Sequence, residues 1–154
     1  MLEIGQSFPD FNLADQEGQQ FNSQDLLGHW AAIYFYPKDN KAGCIREAKE
    51  FTDQVGAFMD KKTLLIGISP YSVKSQINYT AKHELGLTFL VDPDRSLCQA
   101  VGVWQKKKLY GKESFGVVRS TFLLDPEGVV REVWTKVKAT GHAQAILAKL
   151  AELR

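Results

Sequence analysis

Hydrophobic residues follow two patterns along the chain: continuous runs typical of strands buried on both faces, and spacings of three and four typical of helices. The two longest runs of the first kind, Trp30–Tyr36 and Thr63–Ile68, predict central strands. Short apolar–polar alternation over residues 8–21, on either side of the turn signal Asp15–Gly18, predicts an N-terminal β-hairpin. Further strands are predicted at 87–91, 117–124 and 129–135, the last two joined by a turn at 125–128.

Helices are predicted between these strands. They are expected over about 41–59, from an N-cap at Ser72 to a stop at Gly86, and from about Gly141 onward, with a small helix or a turn around 95–101. Strands linked through helices must be parallel, whereas the final hairpin is antiparallel. The order therefore predicts an α/β protein with a mixed central sheet flanked by helices on both faces. No repeat or low-complexity linker interrupts this order, so residues 1–154 are expected to form a single domain.

Composition narrows the classes of function. A formal net charge of +1 gives no reason to expect nucleic acid or an anionic membrane as a partner. The first residues lack the pattern of a secretory signal, and no apolar run is long enough to span a bilayer. The two cysteines, Cys44 and Cys98, form neither a C-x-x-C motif nor a zinc site, and His83 and His142 lack partners at metal-ligand spacing. We therefore expect a cytoplasmic protein that needs no metal or other cofactor.

Residues 33–51, IYFYPKDNKAGCIREAKEF, combine a strand, a loop and a helix with a thiol. The strand-like run stops at Pro37, and Cys44 follows near the helix start, where unpaired N–H groups and the helix dipole favour a thiolate. From Cys44 onward, apolar residues recur at steps of four, three, four and three, at Ala48, Phe51, Val55 and Phe58. The thiol therefore faces inward. Without its neighbours, Cys44 would be interpreted as a small buried hydrophobe.

The stretch from Tyr34 to Cys44 resembles the active-site loop of the peroxiredoxins, specifically the bacterioferritin comigratory protein or PrxQ subfamily. In that family a proline, a threonine and a cysteine are spaced P-x-x-x-T-x-x-C. Pro37 and Cys44 match, whereas Lys41 stands at the threonine position and Ala42 replaces a usual proline. Similar residues follow in the family's order at Leu13-Ala14-Asp15 with Gly18, Ser69-Pro70, Val91-Asp92-Pro93-Asp94, Gly102-Val103-Trp104, Arg119-Ser120-Thr121-Phe122 and Gly141-His142. The resemblance implies a thioredoxin-like fold with the peroxiredoxin N-terminal extension.

The resemblance also implies a function, that of a monomeric thiol-dependent peroxidase that reduces hydrogen peroxide and organic hydroperoxides in antioxidant defence. Cys44 would be the nucleophile and become a sulfenic acid. Pro37 would cover the thiolate, and the backbone N–H groups of Gly43 and Cys44 would donate to the peroxide. Arg119 falls where the family has an arginine that stabilises thiolate and peroxide, although the pattern alone also allows an outward-facing strand residue. Glu47 either pairs with Arg119 or only interacts with the helix dipole.

Lys41 keeps a second function open. A threonine hydroxyl donates and accepts hydrogen bonds, whereas an ammonium only donates. Lys41 would either favour the thiolate by its charge or point to solvent. The alternative is therefore a peroxiredoxin-fold redox sensor or binding module with impaired turnover, while general disulfide exchange is disfavoured without C-x-x-C. The lysines at 106–108 are interpreted as a solvated loop.

Recycling of the oxidised cysteine is expected to need an external thiol. Some relatives carry a resolving cysteine five positions after the nucleophile, where this chain has Lys49. Others carry it in the next helix, but this chain has no cysteine between Thr63 and Gly86. Cys98 is expected to be a buried structural thiol. The prediction is a single-cysteine mechanism with thioredoxin or glutaredoxin as reductant, and a Cys44–Cys98 disulfide is the alternative.

Overall fold

The computed structural model describes residues 1–37, 42–70, 87–135, 137 and 141–154. The strands are β1 Asn12–Asp15, β2 Gln20–Asn22, β3 Trp30–Phe35, β4 Thr63–Ser69, β5 Thr88–Val91, β6 Trp104–Leu109, β7 Lys112–Val117, β8 Ser120–Leu124 and β9 Val130–Thr135. The helices are α1 Ala42–Asp53, α2 Val55–Asp60, α3 Ser96–Val101 and α4 His142–Leu153, with a 3₁₀ helix at Ser23–Leu26. The helix predicted from Ser72 to Gly86 lies outside the described residues.

Seven of the strands form one sheet in the order β2-β1-β5-β4-β3-β8-β9. The central strands β3, β4 and β5 are parallel, as expected for strands connected through helices. The N-terminal hairpin and β8–β9 pair antiparallel at the two sides of this centre. These pairings confirm the predicted mixed sheet and N-terminal hairpin.

The sheet separates two hydrophobic cores. Along β3, side chains alternate between faces, so that Ala31, Ile33 and Phe35 enter one core and Ala32 and Tyr34 enter the other. The first core lies under α3 and includes Leu97, Cys98 and Val101. The second core lies under α1, α2 and α4 and includes Cys44, Phe51, Phe58 and Ile146. The two cysteines therefore lie on opposite faces of the central sheet.

A glycine in β4 makes room for the aromatic layer on which α1 rests. A Cβ atom at Gly67 would lie 2.8 Å from the Tyr34 ring and 2.9 Å from the Phe89 ring. The Tyr34 ring in turn lies 4.6 Å from the ring of Phe51 in α1, centroid to centroid. Because a side chain at Gly67 would displace these rings, the glycine helps to seat the helix that carries Cys44.

The helix predicted over 41–59 is two helices, and the prediction of one continuous helix was wrong. Gln54 separates α1 from α2 with dihedral angles of φ −102° and ψ 4°. Both Phe51 before the break and Phe58 after it are fully buried. Because the apolar spacing continues across Gln54, periodicity could not reveal the break.

The lysines at 106–108 lie in a strand, so the prediction of a loop was wrong. They belong to β6, which pairs antiparallel with β7 in a separate two-stranded sheet. The connecting residues Tyr110 and Gly111 both have positive φ, 52° and 77°, as two-residue hairpin turns of type I′ require. Lys106 forms an exposed ion pair with Glu113, Nζ to Oε2, at 2.7 Å. The ribbon lacks the apolar alternation that would have identified its strands.

Candidate active site

Cys44 is the third residue of α1 and is 1% exposed. It lies in the second core, where Tyr36 and Ala48 are also buried. This position confirms that the thiol faces inward. The N–H groups of the first helical turn have no intrahelical acceptor, so those of Gly43 and Cys44 are donors at the start of this helix.

Arg119 reaches Cys44 from the other half of the chain. It lies between β7 and β8, so the strand predicted over 117–124 is interrupted there. Its carbonyl accepts a hydrogen bond from Val137 N–H at 3.1 Å, and the neighbouring Val118 N–H donates to Val103 O at 2.8 Å. The side chain points inward with 14% exposure and reaches residues of α1.

The guanidinium of Arg119 bridges two acidic groups of α1. Nη2 donates to the Cys44 sulfur at 3.1 Å, and Nη1 donates to Glu47 Oε1 at 3.0 Å. Of the two alternatives for Glu47, the structure therefore shows pairing with Arg119. The side chain of Glu47 is 1% exposed, and Arg119 contacts both acids through different nitrogens.

Gly43 allows the close approach of this guanidinium. A Cβ atom at position 43 would lie 3.3 Å from Arg119 Nη2, closer than carbon and nitrogen atoms normally pack. An alanine would require the guanidinium to shift, so the glycine before Cys44 contributes space as well as a backbone N–H.

Burial and charge act in opposite directions on this cluster. Burial opposes the charge of Arg119, but Glu47 and the Cys44 sulfur outweigh it and raise the arginine pKa. Burial of Glu47 raises its pKa to about 7, against the attraction and hydrogen bond of Arg119, and Glu50 on the same helix adds to the increase. The proton on Glu47 is therefore held weakly near neutral pH.

His142 is a buried neighbour of the site that sequence reasoning treated only as structural. Its Nε2 lies 2.7 Å from Thr121 Oγ1, and its ring packs edge-on against Phe51 and Trp134 at 5.9 and 5.6 Å between centroids. Burial, with a further contribution from the positive charge of Arg119, lowers its pKa to about 4. The available sequence signal was Gly141-His142, one of the pairs that resemble the peroxiredoxins.

The structure also locates the other residues considered for the site. Pro37 lies two residues beyond β3 and is half-buried. Lys41 lies outside the described residues. Cys98 is fully buried in the first core, on the sheet face opposite Cys44, and its N–H donates to Asp92 Oδ2 at 2.8 Å. Burial, followed by the Asp92 carboxylate, raises the pKa of the Cys98 thiol.

No helix in the described part of the chain is long and apolar enough to cross a membrane. Within the same residues, no group of three or more histidine, cysteine or acidic side chains could hold a metal ion. What the structure does contain is a cysteine at a helix start, in contact with an arginine, on a sheet with thioredoxin-like topology. The fold and the site together define a thioredoxin-like thiol peroxidase.

Comparison with known proteins identifies the family. The model of the AhpC/TSA family matches residues 4–133. Peroxiredoxin Bcp of Xanthomonas campestris is 41% identical over 150 residues, which cover 97% of this chain and 94% of the relative. A solved structure of the X. campestris bacterioferritin comigratory protein comes from work on its alkyl peroxide reduction activity. It matches with a TM-score of 0.90 at 40% identity, over 99% of this chain and 97% of that one. A mutant PrxQ from Xylella fastidiosa matches with a TM-score of 0.94 at 32% identity, over 99% and 97% of the two chains. The chain belongs to the AhpC/TSA family, as a peroxiredoxin of the Bcp/PrxQ type.

Proposed function

We propose that this peroxiredoxin reduces hydrogen peroxide and organic hydroperoxides in antioxidant defence, with Cys44 as the nucleophile. The observation that carries the proposal is the 3.1 Å hydrogen bond from Arg119 Nη2 to the Cys44 sulfur. A charged donor at this distance favours the thiolate, which is the reactive form. The alkyl peroxide reduction activity of the X. campestris relative supports organic hydroperoxides as substrates.

The proposed reaction transfers one peroxide oxygen to sulfur. The Cys44 thiolate attacks an oxygen of ROOH, the S–O bond forms as the O–O bond breaks, and the products are the Cys44 sulfenic acid and RO⁻. Sulfur loses two electrons, the peroxide gains them, and one proton converts RO⁻ to the alcohol. Arg119 and the N–H groups of Gly43 and Cys44 donate to the peroxide oxygens as negative charge moves onto the leaving oxygen.

Pro37 has a supporting role in this proposal. It limits the access of water to the thiolate, which keeps the donors of the site directed at sulfur and peroxide. Its half-buried position just beyond β3, the strand that leads toward α1, is consistent with that role.

We further propose that an external thiol, such as thioredoxin or glutaredoxin, reduces the sulfenic acid directly. Cys98 is the only other cysteine in the sequence, and the sheet lies between it and Cys44. A disulfide needs Cα atoms within about 7 Å of each other. Formation of a Cys44–Cys98 bond would therefore require one of the two cores to open.

Stopped-flow mixing of the reduced protein with peroxide tests the proposal. Wild type is expected to react much faster than an unactivated thiolate, and Cys44→Ser is expected to consume no peroxide while retaining its fold. Cys98→Ser is the matched control, because it removes the other thiol without touching the Arg119 cluster. Peroxide consumption by Cys44→Ser would contradict the assignment of the nucleophile.

Lys41 favours one second candidate, a redox sensor or binding module with slow turnover. The family threonine at this position can accept a hydrogen bond, and lysine cannot. A wild-type rate no higher than that of an unactivated thiolate, together with normal formation of the sulfenic acid, would support this candidate over the peroxidase.

The remaining elements of the proposal concern assembly and location. We propose a monomer that acts in the cytoplasm, which is consistent with two buried cysteines that form no disulfide. Sedimentation at micromolar concentration checks the oligomeric state of both the reduced and the oxidised protein. A stable dimer in either form would contradict the proposed monomer.

A further inference from the structure

His142 contacts the two elements between which the active-site groups meet. It is the first residue of α4, and its Nε2 lies 2.7 Å from Thr121 Oγ1 in β8. Its ring packs edge-on against Phe51 in α1, with 5.9 Å between the ring centroids. His142 is 5% exposed and Thr121 is 1% exposed. One buried side chain therefore joins the helix that carries Cys44 to the strand that directly follows Arg119.

The position of Thr121 is coupled to that of Arg119. It lies two residues after Arg119, in a strand held in the sheet by the pairing of Thr121 with Tyr34 on one side and Trp134 on the other. The side chains of Arg119 and Thr121 point to the same side of the sheet, since the first contacts Cys44 in α1 and the second contacts α4. A contact that fixes Thr121 relative to the helices therefore also fixes the point from which Arg119 extends.

Two backbone groups that precede His142 link the same elements. Val137 N–H donates to the carbonyl oxygen of Arg119 at 3.1 Å, and Gly141 N–H donates to Glu50 Oε1 in α1 at 3.1 Å. Together with the contacts of His142, these hydrogen bonds connect the residues leading into α4 to both α1 and the backbone of Arg119. The separation between α1 and the start of β8 is thus set from the N-terminal end of α4.

The contact between Arg119 and Cys44 depends on this separation. The nitrogen Nη2 lies 3.1 Å from the Cys44 sulfur and only 3.3 Å from the place that a Cβ atom of Gly43 would occupy. Hydrogen bonds weaken steeply as their geometry is lost, and a misplacement of about 1 Å in an active site can reduce the rate about 100-fold. A small shift of α1 relative to β8 is therefore expected to weaken the contact.

We propose that the hydrogen bond between Thr121 and His142 positions Arg119 against Cys44 for peroxide reduction. Hydrophobic packing around the imidazole is non-directional, whereas the hydrogen bond fixes both a distance and a direction. The inference rests on the proposed function. Thr121 and His142 are positioning residues, because they act through Arg119 and need no contact with the peroxide.

Two substitutions remove the hydrogen bond from opposite sides. Thr121→Val keeps the shape of the side chain and removes the hydroxyl, whereas His142→Phe keeps a ring against Phe51 and removes the nitrogen. Each is expected to slow the stopped-flow reaction of Cys44 with hydrogen peroxide by about 10- to 100-fold near neutral pH. The double variant is expected to be no slower than the slower single variant, because both changes remove the same interaction.

Two controls separate positioning from an ordinary loss of stability. Thr121→Ser retains the hydroxyl and is expected to restore a rate close to that of wild type. Ile146→Val removes a buried methyl group one turn further along α4, in the same core, without touching the hydrogen bond. This variant is expected to lower the free energy of unfolding in urea and to leave the rate unchanged.

The Arg119→Met background shows through which group the hydrogen bond acts. This variant lacks the guanidinium that the hydrogen bond is proposed to position. Adding Thr121→Val to it is therefore expected to cause no further slowing. A general loosening of the core would instead slow both backgrounds by the same factor.

NMR of the Arg119 side chain tests its position without peroxide. The guanidinium signals of the reduced protein are assigned by their absence from Arg119→Met. Thr121→Val is expected to shift these signals, whereas Thr121→Ser and Ile146→Val are expected to leave them close to their wild-type frequencies.

The outcomes separate this inference from the function on which it rests. Wild-type rates in folded Thr121→Val and His142→Phe would overturn the inference and leave the proposed function standing. Equal slowing by Thr121→Val in the wild-type and Arg119→Met backgrounds would overturn it as well. Failure of wild type to form sulfenic acid would overturn the proposed function, whereas unshifted Arg119 signals in Thr121→Val would overturn the inference alone. Where Thr121→Val does not fold, His142→Phe decides the matter through the same measurements of rate in the two backgrounds.

Discussion

Acidification is expected to destabilise this protein through His142. The imidazole is buried, contacts Thr121 Oγ1 at 2.7 Å, and packs against the rings of Phe51 and Trp134. Burial and the charge of Arg119 lower its pKa from 6.5 to about 4. In the unfolded chain it would be protonated below pH 6.5, whereas in the folded protein it stays neutral until about pH 4.

The sign and size of the effect follow from this difference. When the folded state has the lower pKa, the group contributes its full stability at pH values above the pKa of the unfolded chain. That contribution is lost as the pH falls toward the pKa of the folded protein. For His142 the loss amounts to about 2 kcal/mol by pH 5 and about 3 kcal/mol by pH 4. That is a large part of the stability of an ordinary domain.

The assay is urea unfolding of wild type and His142→Gln between pH 4 and 7.5. Glutamine stays neutral in this range and its amide can still pair with Thr121. The comparison between the two proteins is essential, because Glu47 acts in the opposite direction. Its raised pKa stabilises the folded state below about pH 4.5, and that contribution is lost as the pH rises through about 7. Both proteins share this Glu47 contribution, so it cancels in the difference between them.

The free energy of unfolding of wild type minus that of His142→Gln is expected to be constant above pH 6.5 and to fall by about 2 kcal/mol at pH 5. Parallel curves for the two proteins would refute the reasoning, because they would show that His142 has the same pKa in the folded and the unfolded state.

Three further substitutions test the site. Arg119→Met is expected to slow peroxide attack by the equivalent of about 3 to 4 kcal/mol, since it removes a preorganised charged donor, and an unchanged stopped-flow rate would contradict its role. Cys98→Ser and wild type are expected to show the same change in intact mass on treatment with peroxide. A species lighter by two hydrogens in wild type only would instead establish a Cys44–Cys98 disulfide. Lys41→Thr is expected to increase the rate, because a hydroxyl both donates and accepts. An equal or lower rate would mean that another donor already compensates for the lysine.

The central sheet could be predicted from sequence because its strands are buried on both faces and appear as continuous apolar runs. Trp30–Tyr36 and Thr63–Ile68 agree with β3 and β4 to within one residue at each end. The β6–β7 ribbon could not be predicted, since Lys106 and Lys108 face solvent and the sequence there has no apolar period. The break at Gln54 was missed for the opposite reason, because the period there continues across it.

The candidate site was predictable only in part. The helical spacing after Cys44 was sufficient to predict an inward-facing thiol. The partner of that thiol depends on tertiary structure, because Arg119 lies 75 positions further along the chain, and pattern alone left its direction open. Glu47 likewise had two possible roles until the position of the guanidinium was known. The contact between Thr121 and His142 joins a strand to the last helix, and no local pattern encodes it.

The two cysteines lie on opposite faces of the sheet and have neighbours of opposite charge. Both are almost fully buried, so exposure does not distinguish them. Cys44 lies at the start of a twelve-residue helix and receives a hydrogen bond from the fixed positive charge of Arg119. Cys98 lies beside the Asp92 carboxylate, whose negative charge raises the thiol pKa further after burial. Since only the thiolate attacks peroxide, the sign of the neighbouring charge, rather than exposure, supports the proposed assignment of Cys44, and not Cys98, as the nucleophile.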